Sequence, residues 1–164
     1  NQEEFVRDMR AITKSLSKKY KVIFIPHVLE DVEISENVAK NIGNTEVLDF
    51  GNFAFDRANK VIAYYKYAEF VIAMRGHGQI LPIAFNTPAI SLENHPKHSG
   101  LMEELGLLDY SVKVNEADFL NILLQKINML QKNLDTLKDT YAEINASLDQ
   151  KSKSTFVKII SSLK

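Results

Sequence analysis

The stretch EFVIAMRGHGQILPIAFNTPAISLENHPK, residues 69–97, decides the fold. Phe70, Val71, Ile72, Ala73 and Met74 form a short apolar run of the kind that fills a strand buried on both faces of a parallel sheet. At Arg75 the chemistry changes. A cation, a glycine, a histidine and a second glycine follow one another, and residues 79–85 are compatible with a helix. Pro82 is tolerated in a first helical turn, which puts the helix start near Gly78 or Gln79. Asn86-Thr87-Pro88 ends that run, and residues 89–92 predict the next strand. The order is strand, polar elbow, helix, strand, and in open α/β sheets ligands sit at such an elbow, beyond the carboxyl ends of the strands.

Outward from this stretch the same rhythm repeats. Phe5, Met9, Ile12 and Leu16 recur at helical spacing and predict an amphipathic first helix, with Lys18-Lys19 at its carbonyl end. Residues 22–25 are a β-branched and aromatic run closed by Pro26, a second buried strand with His27 at its C-terminal end. Asp31, Glu33 and Ser35 supply acidic and capping groups for a helix through Val38 and Ile42 that ends at Gly43. Residues 46–50 predict a short strand and Gly51-Asn52 a turn. Asp56 caps a helix to about Tyr67, with Ala58, Val61, Ile62, Tyr65 and Ala68 on its apolar side. Residues 97–105 predict a short helix stopped by Gly106, and residues 110–114 a last strand. The fold class is α/β: a Rossmann-like parallel sheet with helices on both faces over residues 1–114, followed by a helical tail over 115–164.

In the tail, Asn115 and Asp118 make a start resembling a capping box. Leu120, Leu123, Ile127, Leu130, Leu134, Leu137, Tyr141, Ile144 and Leu148 then recur in alternating steps of three and four, a heptad pattern. Two readings fit it. The favoured one is a pair of helices lying against the domain and a partner half; the other is a dimerising helix that makes a homodimer. Phe156, Ile159, Ile160 and Leu163 predict a final amphipathic stretch.

With 164 residues, 45% of them apolar and 25% charged, the chain is long enough for one domain with a real core. A formal net charge of −1 gives no electrostatic case for nucleic acid. No apolar segment approaches the roughly 20 residues that span a bilayer, and the polar, acidic opening Asn1-Gln2-Glu3-Glu4 does not read as a signal peptide. Zero cysteines exclude disulfide and thiol chemistry. These features lead us to expect a cytoplasmic protein, and the opening on a helix without an initiating Met leads us to expect a piece of a longer one.

The elbow carries the chemistry. Arg75 emerges from a buried strand, and its planar guanidinium can grip a carboxylate or phosphate with two parallel hydrogen bonds. Alternatively it pairs with an acid such as Glu69 or Glu93 and ties the sheet edge together. Gly76 and Gly78 allow close backbone approach and unusual dihedrals, and the first N–H groups of the next helix point at the same spot. His77 is the natural proton-transfer group, or else a histidine that fixes the elbow by bonding to backbone. No metal is expected: Cys is absent, and His27, His77, His95 and His98 show no metal-ligand spacing.

Arg75, His77, Pro88 and Lys97, followed by SGLMEELGL, resemble the polysaccharide pyruvyl transferase family. That pattern is an Arg-x-His after a buried strand, an apolar helix, a Pro opening the next strand and a Lys shortly beyond. The resemblance implies the C-terminal, GT-B-like half of an enzyme built from two Rossmann-like halves with the active site between them. It implies phosphoenolpyruvate as donor, a lipid- or nucleotide-linked saccharide as acceptor, a pyruvate ketal as product and no cofactor. It also implies a role in bacterial cell-surface polysaccharide synthesis at the inner face of the membrane. Arg75 and His77 become the catalytic candidates, and Arg75, Gly76, Gly78, Lys97, Asn94 and His27 the substrate-binding ones. Asn94-His95 replaces the family's more usual Tyr-Asp, and Pro82 stands where a small helix former is usual. Alternatives in other classes are the nucleotide-sugar-binding half of a GT-B glycosyltransferase, and a non-catalytic assembly module using the heptad tail.

Overall fold

The structure is a computed structural model and describes residues 2–48 and 55–162. The first helix, α1 (Gln2–Leu16), buries Ile12 and half-buries Phe5, Met9 and Leu16 against the core, the four positions singled out by helical spacing. Its Arg10 reaches the next helix, α2 (Glu30–Ala39). There Nη1 donates to the carbonyls of Asn37 (2.5 Å) and Val38 (3.1 Å), and Nη2 to that of Lys40 (2.9 Å). A cation is thus placed on carbonyls that a helix end leaves without partners. The helix stops at Ala39 rather than at Gly43. Asn41 takes φ 60°, a left-handed turn that Asn tolerates and that ends the helix before Ile42.

All strands are parallel, as an α/β chain requires, but they form two hydrogen-bonded groups rather than one continuous sheet. Strand β1 (Val22–Phe24) pairs with β2 (Thr45–Val47), Val22 opposite Thr45. Strands β3 (Val71–Ala73), β4 (Ala89–Glu93) and β5 (Ser111–Lys113) pair in that order, Val71 opposite Ala89 and Ser91 opposite Ser111. A cavity of about 750 Å³ lies between β1 and β3, lined by Phe5, Met9, Ile12, Ile23, Phe24 and Ile72 among others. The apolar run at 70–74 is therefore not buried on both faces. β3 bonds only to β4 and turns its other edge to the cavity, so Val71 and Ile72 are half-buried, whereas Ala89, Ile90, Ser91 and Leu92 of β4 are all buried. The central strand is β4.

Helix α3 (Phe55–Tyr67) buries Tyr65, while Ala58 and Ile62 face outward; the turn expected at Gly51-Asn52 lies outside the described residues. Helix α4 (Gly76–Ala84) begins directly after Arg75, so Pro82 falls inside it. Pro82 leaves the Gly78 carbonyl without its intrahelical N–H, and the helix ends in a turn where the Asn86 and Thr87 N–H groups donate to the Ile83 (3.0 Å) and Pro82 (2.8 Å) carbonyls. Asn86, at φ 58°, then turns the chain into β4. Helix α5 (Pro96–Glu104) carries Pro in its first turn, and the His95 ring caps it by accepting the Lys97 N–H at 3.2 Å. A single 3-10 turn (Leu108–Tyr110) leads into β5.

Helices α6 (Phe119–Lys132) and α7 (Leu134–Ser162) form the tail. No capping box opens it: α6 begins at Phe119, and the Asp118 side chain makes no cap bond. Leu123, Ile127, Leu130, Leu137 and Tyr141 join Ile90, Leu92, Met102 and Val112 in one buried cluster, so the heptad positions pack on the sheet of the same chain. The Tyr141 hydroxyl accepts the Ala89 N–H at 3.2 Å. Asn145 Nδ2 donates to the Ile83 carbonyl (2.8 Å) and to Asn86 Oδ1 (2.7 Å), fastening α7 to the end of α4.

Candidate active site

The carboxyl ends of β1 and β3 meet across the mouth of the cavity. Arg75 is the N-cap of α4, with an extended backbone that aims its side chain at the loop after β1. Asp31, in the first turn of α2 beyond that loop, receives it: Nε donates to both carboxylate oxygens at 3.2 Å, and Nη2 to Oδ1 at 2.5 Å. Asp31 Oδ2 also accepts the backbone N–H groups of His27 (3.0 Å) and Val28 (3.2 Å). One carboxylate thus shapes the loop after β1 and pins a guanidinium belonging to the other sheet. Burial pushes the Asp31 carboxyl up, but the Arg75 bond and the two amides together outweigh it and hold the group below its ordinary 3.8. Arg75 is pushed up in turn, chiefly by its hydrogen bond to Asp31. The Asp31 side chain is 14% exposed and that of Arg75 41%, so the pair is open on the arginine side. Nη1 bonds to no group among the described residues.

His27 stands next to this pair. Its Nε2 lies 2.6 Å from the Tyr65 hydroxyl, and its ring is parallel to that of His77, with centroids 6.4 Å apart and an interplanar angle of 8°. Burial pushes the Tyr65 hydroxyl up to about 12, so at neutral pH it keeps its proton, and the tautomer of His27 decides which of the two atoms donates. Gly78 makes this contact possible. A Cβ there would sit 3.1 Å from Ala73 Cβ, 3.3 Å from the Tyr65 hydroxyl and 3.7 Å from His27 Nε2. Its smallness serves this internal packing. Neither Gly76 nor Gly78 adopts a positive φ, so the unusual dihedrals expected of them are not used.

His27, Arg75, Gly76, His77 and Gly78 therefore come together, with Arg75 and His77 facing solvent. Asn94 and Lys97 sit on the turn from β4 to α5, both exposed, and neither is bonded to Arg75 or His77. Behind them lies His98, a buried α5 residue whose Nδ1 has no hydrogen-bond partner among the described residues. Burial, then the positive charges of Lys97, His95 and Arg75, lower its pKa against an opposing pull from Glu93. Sequence reasoning missed Asp31 and Tyr65, taking the first for a helix-capping acid and the second for an ordinary apolar position. The spacing of Asp31 four residues after His27, just beyond a strand, was the available signal.

The family model for polysaccharide pyruvyl transferases matches residues 3–96, more than half of the chain and all of the elbow. The chain belongs to the polysaccharide pyruvyl transferase family. The match runs from α1 to the first residue of α5, so it takes in His27, Asp31, Arg75, His77 and Asn94, while Lys97 follows immediately after it. The family is one of transferases, and it implies a saccharide acceptor. No curated protein and no solved structure matches it. No helix among the described residues is long and apolar enough to cross a membrane.

Proposed function

We propose that this chain binds phosphoenolpyruvate and contributes one wall of the site at which its enolpyruvyl-derived group passes to a saccharide as a pyruvate ketal. The observation that carries the reading is Arg75: half-exposed, held in place by Asp31, with its Nη1 edge open beside the N-terminus of α4, whose first turn contains no acid. A fixed guanidinium and free helix N–H groups suit a donor that carries both a carboxylate and a phosphate. In the overall change, the donor's methylene carbon gains a proton and its central carbon forms two bonds to sugar hydroxyl oxygens. The bond from that carbon to the phosphate oxygen breaks, and inorganic phosphate leaves with the balancing proton. His77, exposed at the elbow, serves one of these proton transfers. Lys97 and Asn94 extend the anion- and acceptor-binding surface along the β4–α5 turn.

The reading places the second wall of the cleft on another Rossmann-like half, in a cytoplasmic enzyme of bacterial cell-surface polysaccharide synthesis. The chain alone is then expected to bind donor without turning it over. Thermal unfolding with and without phosphoenolpyruvate is the test. A hundredfold excess over Kd stabilises by about 2.7 kcal/mol, and the shift should vanish in Arg75→Ala. An unchanged melting temperature, or an equal shift in Arg75→Ala, overturns the reading. A response to a uridine diphosphate sugar instead moves the chain to the nucleotide-sugar alternative.

A further inference from the structure

From Ala146 to Ser161 every residue of α7 is exposed, so the helix leaves the body of the protein once Asn145 has fastened it. An exposed helix normally shows polar groups all round. This one does not: Phe156 is 67% exposed, Val157 64%, Ile159 52% and Ile160 53%. At about 100° per residue, Leu148, Phe156, Ile159 and Ile160 fall within about 120° of arc, an arc that also takes in Ser152 and Asp149. Lys153 borders that arc on one side, Lys151 and Lys158 on the other. The only acid in the projecting segment is Asp149, bonded to Lys153 at 2.5 Å in its first turn, and Lys164 follows in the sequence. A chain of net charge −1 thus gathers a cationic, apolar-faced segment at one projecting helix.

We infer that this segment is an interfacial membrane anchor, laying its apolar face among the acyl chains of an anionic bilayer while its lysines engage the headgroups. A broad apolar face bordered by lysines on both sides is the form suited to a bilayer surface. A helical partner would require the narrow heptad seam to continue, but that seam packs on the same chain through Tyr141 and the half-buried Ile144, and after Leu148 its next positions are Lys151 and Thr155. The segment lies along the surface in this arrangement, since no helix among the described residues is long and apolar enough to cross. The inference does not depend on the donor that Arg75 binds.

Sedimentation of the full chain with vesicles tests it. The chain should bind vesicles of phosphatidylcholine with phosphatidylglycerol, and bind phosphatidylcholine alone at least tenfold more weakly. Binding should fall about fivefold for each lysine changed in Lys151→Gln, Lys153→Gln and Lys158→Gln. It should fall more than tenfold in the double variant Phe156→Ser with Ile160→Ser. These positions are exposed, and an unchanged melting temperature verifies that the variants are folded. No binding to anionic vesicles, or binding untouched by the double variant, overturns the inference. So does a dimer in analytical ultracentrifugation that the double variant converts to monomer, because the face then belongs to a second copy.

Discussion

At the residue scale the molecule turns on one carboxylate. Asp31 accepts from two backbone amides and a guanidinium, and hydrogen bonds to a charged group contribute about 1.5–3 kcal/mol each when well shielded. Arg75 is open to solvent, which discounts its share, so Asp31→Ala should cost about 1–3 kcal/mol in urea unfolding. The pH dependence has a definite sign. Because the folded pKa is depressed below 3.8, the contribution is complete above that value and is lost as pH falls through the lower folded value. Asp31→Asn should flatten the acid side of the stability curve and leave its slope above neutrality unchanged. Arg75 and His77 were legible in the sequence because cation, glycine and histidine follow an apolar run. Their partners were not. The Asp31–Arg75 contact spans 44 residues, and nothing local to Tyr65 distinguishes a hydroxyl that meets a histidine from one that caps an apolar helix face.

At the element scale the helices were legible and the sheet was less so. Period-3.6 patterns over 14 or 15 residues, as in α6 and α1, carry many repeats of the signal. Strands of three residues carry almost none, so neither their pairing partners nor the gap between β1 and β3 could be read. The heptad pattern of the tail was real, but the same spacing serves an intramolecular seam as well as a coiled coil. Its attachment to β4 gives a direct test. Tyr141 is fully buried, and its hydroxyl is the acceptor for the Ala89 amide. Tyr141→Phe leaves that donor unpaired and should cost about 1–3 kcal/mol. Ending the chain after Asn145, by contrast, removes a segment whose residues are exposed from Ala146 to Ser161 and should change stability by less than about 0.5 kcal/mol.

At the scale of the whole molecule there is one large core, on the side of β4, α6 and α7, and no residue of β1 or β2 belongs to it. The first sheet is joined to the rest through α1, which packs on both α2 and α6, and through the Asp31–Arg75 pair at the mouth of the cavity. The candidate site thus lies across the least cohesive plane of the structure. An anion held there, as we propose, would act on groups from both sides of that plane.

The seam between β1 and β3 also makes the protein soft. Well-packed interiors resist compression, whereas the part of this cavity that its apolar walls keep dry is volume for hydrostatic pressure to eliminate when the chain unfolds. The unfolding volume should lie toward the larger end of the roughly −20 to −100 mL/mol found for domains. With six tyrosines and no tryptophan, tyrosine fluorescence in a pressure cell would report it. Ile72→Phe, which puts bulk into the gap, should shift the midpoint to higher pressure.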